Sequence, residues 1–154
     1  MGNAKSSSKF KKFAIAFLKE AKEDLEVAEE LLESKRYARS VYSSQQSVEK
    51  AIKALLETEK IFVSEHNLSR FFVKFIYNNK NYSSLKKQTT NILKILDYFE
   101  GEWSRTRYPK EVNGRVLLPM EIYKSQEAED SYYKATQVYD IIKEIFIKKL
   151  KIKV

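Results

Sequence analysis

The chain has 154 residues, 43% of them hydrophobic and 32% charged, yet only three glycines, two prolines and no cysteine. So little turn chemistry excludes sandwiches, barrels and Rossmann folds, and the missing thiols exclude disulfide scaffolds, thiolate metal sites and a cysteine nucleophile. The net charge is +8, but Lys5, Lys9, Lys11 and Lys12 lie near one end and Lys143, Lys148, Lys149, Lys151 and Lys153 near the other, so the excess is terminal and argues weakly for a nucleic-acid stripe.

In chain order, residues 1–9 read as a disordered Ser/Lys leader. The start MGNAKS also fits an acylation pattern at Gly2 with Ser6, a match that so short a motif reaches by chance. From Phe10, the stripe Ala14, Phe17, Ala21, Leu25, Ala28 and Leu32 has the three-and-four spacing of an amphipathic helix. After a break at Ser34–Arg36, Tyr37, Val41, Ser44, Val48, Ile52 and Leu55 mark a second helix, and the short connection predicts an antiparallel hairpin. Residues 60–67 read as a connector, Leu68 to Ile76 as a short aromatic helix, and Asn78 to Ser84 as turns. Leu85 to Phe99 follows as a fourth helix, which Gly101 is placed to end. Residues 101–119 hold two glycines and both prolines and form the principal loop. A final helix is expected from about Met120 to Ile147, with an apolar face wide enough for a central position or a subunit interface.

These elements predict an all-α fold, an antiparallel up-and-down bundle of about five helices in one domain over 10–147, with a basic tail over 148–154. No run approaches the ~18 apolar residues of a membrane span and the start lacks a signal peptide, so a cytoplasmic protein without a membrane partner is expected. No residue set asks for a cofactor or metal, because His66 is the single histidine.

Two places concentrate chemistry. On helix two, Arg39, Tyr42, Gln46, Glu49, Lys50 and Lys53 share the side opposite the apolar stripe, which suits either an ordinary solvated face or a partner-binding one. In the loop, Arg105, Arg107, Lys110 and Arg115 are interleaved with Trp103 and Tyr108. Guanidinium forks there can take phosphate and rings can stack on bases, unless the arginines simply pair with Glu102 and Glu111. His66, beside Asn67 and just before helix three, reads as a capping or packing residue. The acidic row Glu23, Glu26, Glu29 and Glu30 reads as a solvated face.

The order of a long charged helix, then RYARSVYSSQQSVEKAIKALLE, then HNL, then RYP in a late loop resembles the prokaryotic HEPN domain over roughly residues 10–147. Gln46, Val48, Glu49, Lys50, Lys53, Ala54, Leu55 and Leu56 match the second-helix pattern of that family; His66 and Leu68 match its HxL element, and Arg107, Tyr108 and Pro109 its RYP element. The resemblance implies a helical homodimer of the kind paired with a minimal nucleotidyltransferase in toxin-antitoxin modules. Many members are ribonucleases with an Arg, four to six residues, His motif. Here Glu59, Lys60 and Ile61 stand where that arginine belongs, so the nuclease motif is absent. Arg36 and Tyr42 have the Arg, five residues, Tyr spacing of a toxin signature, but on helix two instead of the late helix, a coincidence among ten tyrosines.

The resulting expectation is a noncatalytic dimeric module. Arg105, Arg107, Tyr108 and Lys110 would bind nucleotide or RNA, and Tyr42, Gln46, Glu49 and Lys53 would face a partner or a second copy. The alternative is a metal-independent ribonuclease or RNA-binding protein using the same basic loop.

Overall fold

The computed structural model describes residues 2–154, with side-chain surroundings from Ser7 onward. The surroundings of Gly2 and Ser6, the residues of the acylation pattern, therefore lie outside the description. Helix α1 is Gly2–Glu33 and helix α2 is Tyr37–Thr58. The turn between them closes with Arg36 N–H donating to Leu31 O at 2.8 Å and Lys35 N–H to Leu32 O at 3.0 Å, with Lys35 left-handed at φ 60°. That is a Schellman stop built on lysine where glycine is usual. The end of α2 repeats it, with Ile61 N–H to Leu56 O, Lys60 N–H to Glu57 O and Lys60 at φ 62°.

The hairpin is held by small residues at heptad spacing. Ser40 Oγ and Ser47 Oγ each donate at 2.7 Å, to Ala28 O and Ala21 O respectively. The same antiparallel register brings Ala14 level with Ala54, both fully buried. With almost no side chain between them, the two backbones approach closely enough for hydroxyl-to-carbonyl bonds.

Helix α3 is Ser69–Phe72, and its chain continues in a wider π-type turn over Val73–Tyr77. A 3₁₀ segment, Lys80–Leu85, leads into α4, Lys86–Glu102. The helix expected to end at Gly101 runs through it. Gly101 does not have a positive φ, and the carboxylate of Glu100 holds α3 by accepting from Leu68 N–H at 2.6 Å and Ser69 N–H at 2.8 Å. The cap expected of His66 is thus supplied by Glu100.

The region read as a plain loop contains an antiparallel hairpin. Strand β1, Lys110–Val112, pairs with β2, Arg115–Leu117, with Lys110 opposite Leu117. Asn113 at φ 51° and Gly114 at φ 77° make the two-residue turn, whose left-handed positions favour Asn-Gly.

The last expected helix is divided. Helix α5, Pro119–Ile122, is followed by extended backbone at Tyr123 and Lys124 before α6, Ser125–Glu144, and a π-type turn over Ile145–Lys149. The break lets Tyr123 insert beside Ala38, Val41 and Ala128 and donate its hydroxyl to Glu102 Oε2 at 2.6 Å. Helix α6 packs on α2, α1 and α4, the central placement its wide apolar face allowed. The main core gathers Leu18, Ile52, Leu55, Phe72, Ile92, Phe99, Ile142 and Phe146. The molecule is an all-α bundle with one small hairpin, and no described helix is long and apolar enough to cross a membrane.

Candidate functional site

Residues 103–108 follow α4 in tight turns, Arg105 N–H bonding to Glu102 O and Arg107 and Tyr108 N–H to Ser104 O. A residue without obvious chemistry in the sequence pins them. Gln45, buried on α2, donates from Nε2 to Phe99 O at 2.8 Å and accepts at Oε1 from the buried Thr106 hydroxyl at 3.3 Å. One side chain thereby fastens the end of α4 and the following turn to α2, and sets where Trp103, Arg107 and Tyr108 project.

Arg107 turns inward. Its guanidinium carbon lies 4.5 Å from the Tyr42 ring centroid and 4.6 Å from that of Trp103, so the cation stands between an α2 ring and a loop ring. Nε and Nη2 of Arg107 are sealed from solvent with no hydrogen-bond partner among the described residues, and the same holds for Trp103 Nε1 and Gln46 Nε2, one turn along from Tyr42. An unpaired buried donor costs about 1–3 kcal/mol, and more when charged. Such a cluster asks for acceptors, which ordered water or a ligand can supply.

The site continues along α2. Glu49, buried, accepts from Lys53 Nζ at 2.9 Å and contacts His66 Nδ1 at 3.0 Å through Oε1 and 3.1 Å through Oε2. His66 keeps a half-open side chain, 56% exposed, and its ring centroid lies 5.6 Å from Trp103, which in turn lies 6.3 Å from Tyr108. Tyr42 and Glu49 of α2 thus meet Arg107 and His66 directly, with Gln46 and Lys53 on the same helix and Trp103 and Tyr108 beside them.

Other residues singled out in the sequence stand apart. Arg105 bonds Glu102 through Nη1 at 2.9 Å and lies 5.8 Å from the Tyr123 ring. Lys110 is exposed on β1, Arg115 pairs with Glu121 at 3.1 Å, and Lys50 bridges to Glu20 and Asp24 of α1 at 3.2 and 2.7 Å. Arg39 is exposed, as are Glu23, Glu26, Glu29 and Glu30. Sequence reasoning missed Gln45, Thr106 and the pairing of His66 with Glu49. Only the HxL element hinted at the last, and nothing local marks the first two. Among the described residues no three His, Asp or Glu side chains form a metal-ligand group.

Comparison with known proteins agrees with this architecture. The chain is 38% identical over 142 residues to the protein named "Putative toxin MJ1304" from Methanocaldococcus jannaschii, covering 92% of this chain and 93% of that protein. Among solved structures, TT1696 from Thermus thermophilus superposes with a TM-score of 0.65 at 22% identity, over 85% of this chain and 96% of that one. ST0689, described as an archaeal HEPN homologue, gives 0.63 at 24% identity over 84% and 94%. These two show the fold alone. The family model for the HEPN domain matches residues 14–145, so with the bundle in place and most of the chain covered, this protein belongs to the HEPN domain family.

Proposed function

We propose that the chain is the HEPN component of a toxin-antitoxin-like system, a dimeric noncatalytic module that binds a nucleotide between α2 and the 103–108 turns and docks a minimal nucleotidyltransferase. The observation that carries the nucleotide reading is Arg107, a cation held between two rings with two nitrogens lacking acceptors. A phosphate supplies acceptors in the fork geometry that guanidinium takes, and Trp103, Tyr108 and His66 offer faces for a base. A ligand would enter past Tyr108, which is 57% exposed. The system-level reading rests on family membership and on the similarity to a protein named as a toxin.

Titration calorimetry with AMP and ATP tests the ligand. Wild type is expected to bind, and Arg107→Gln to lose at least about tenfold in affinity, the worth of one charge-assisted pair. Equal binding by the variant, or none by wild type, removes the nucleotide reading. Purification of the native complex from its host, with light scattering on the isolated chain, tests the rest: no nucleotidyltransferase recovered and a monomer in solution would remove partner and dimer in turn.

A second reading is favoured by one observation. The Glu49 carboxylate engages His66 Nδ1 and leaves Nε2 as the ring's other nitrogen, while Trp103 touches both His66 and Arg107. An oriented imidazole near a buried cation is the pairing that general-base cleavage of RNA uses. Cleavage of mixed RNAs by wild type that is lost in His66→Gln would replace the noncatalytic reading with this one.

A further inference from the structure

The far end of α2 carries a separate constellation. Glu57 lies in the last turn of the helix, is 3% exposed, and has no ion pair or side-chain hydrogen bond among the described residues. It lines a cavity of about 490 Å³ with Phe10 and Phe13 of α1, Phe62 of the connector and Lys9. Phe13 and Phe62 are 48% and 68% exposed, a poor placement for large rings unless they serve as walls.

Two features favour a cation in this cavity, against the positive charge of Lys9 on its lining. Glu57 is a carboxyl without a side-chain partner among the described residues, and burial raises its pKa against the opposing pull of Lys9, so a bound cation would favour its ionised form. The last turn of α2 has no basic residue before Lys60 just past its cap, so a cation in the cavity also meets the negative end of the helix dipole. Lys9, the cation lining the cavity, lies 6.0 Å from the Phe13 ring centroid and makes no ion pair with Glu57. Aromatic walls add attraction for a cation over their faces.

We infer that this cavity is a binding site for an organic ammonium, a primary amine on an apolar ring- or chain-sized body, with Glu57 accepting from the ammonium and Phe10, Phe13 and Phe62 enclosing the body. The ligand supplies a donor for a carboxylate that has none among the described residues, and a positive charge near a helix C-terminus. An anionic or neutral ligand would bring no positive charge, and the nucleotide proposed for the Arg107 site has the wrong charge for this one.

The test is titration of the full chain with 2-phenylethylammonium and, on the same protein, with neutral 2-phenylethanol. Saturable one-to-one binding of the ammonium, at least about tenfold tighter than the alcohol, is expected, because a hydrogen bond to a charged group is worth that much. Glu57→Gln should abolish the preference. Phe62→Ala, at an exposed position that leaves folding intact, should weaken the ammonium several-fold. Equal binding of ammonium and alcohol, no saturable binding, or a preference retained in Glu57→Gln each overturns the inference. The ammonium-to-alcohol ratio on wild type decides the matter even if Glu57→Gln folds poorly. Nucleotide binding measured in parallel should be unchanged by Phe62→Ala, which keeps failure here distinct from failure at the Arg107 site.

Discussion

Single side chains do unusual work because glycine is scarce. Lys35 and Lys60 occupy the left-handed stops of α1 and α2 at φ 60° and 62°, where an L side chain is strained by about 1–2 kcal/mol. Glycine relieves that strain but loses about 0.5–1 kcal/mol to its freedom in the unfolded chain. Lys60→Gly is therefore expected to stabilise the protein by about 0.5–1 kcal/mol, read as a higher urea midpoint at unchanged slope. A lower midpoint would mean that the lysine stem contributes packing that the strain argument omits. The break at Ser34–Arg36 is visible in the sequence, but its lysine cap is not, since lysine carries no signal for this conformation. The same limit applies at the site. Nothing near Gln45 announces that it will bond Phe99 and Thr106, 54 and 61 residues away, because such contacts exist only once α2 and α4 are side by side.

Helix pairs were readable from periodicity, while their closeness came from residue size. The stripe over Ala14, Ala21 and Ala28 gives α1 its buried face, and the serines of α2 exploit the room those alanines leave. Ser47→Val removes a buried hydroxyl that bonds Ala21 O and adds a methyl where the backbones nearly touch. A loss of about 1–3 kcal/mol is expected from overpacking together with the lost hydroxyl bond, checked by chemical denaturation. A loss below about 0.5 kcal/mol would show the interface to be looser than the 2.7 Å bond implies. Two local misreadings have physical causes. Asn113-Gly114 carried a hairpin signal that the surrounding charges masked, and the apolar period over 120–147 ran smoothly through Tyr123, where burial of one ring outweighs helix continuity.

At the scale of the whole molecule, two buried tyrosines predict how stability falls at alkaline pH. Burial, then the Glu59 carboxylate that accepts its hydroxyl at 2.6 Å, pushes the Tyr82 phenol well above its ordinary range; burial and Glu102 do the same to Tyr123. In the unfolded chain these phenols lose their protons near pH ~10, while the folded protein keeps them, so the unfolded state binds fewer protons and stability falls as pH climbs above about 10. Below that pH both states are protonated and the two groups contribute no slope. Denaturation midpoints measured upward from pH ~9 should decline steeply, and Tyr82→Phe with Tyr123→Phe should flatten the decline at some loss of neutral-pH stability. An unchanged slope in the double variant would place the cause elsewhere.

By itself the sequence determined the class of the molecule and its punctuation. Scarce glycine and proline exclude sheet folds, apolar periods of three and four mark the helices, and the ordered Gln46–Leu56, HxL and RYP elements identify the family, because each is encoded within one turn or a few residues. Only the tertiary structure decided which of the basic loop residues turn inward. Arg107 enters between Tyr42 and Trp103 while Arg105 turns to Glu102, although the two lie only two positions apart in an equally basic segment. It likewise joined His66 to Glu49 and left Glu57 without a side-chain partner among the described residues. Whether a charge is paired, sealed or left open depends on which surfaces meet when helices pack, and one-dimensional spacing does not carry that information.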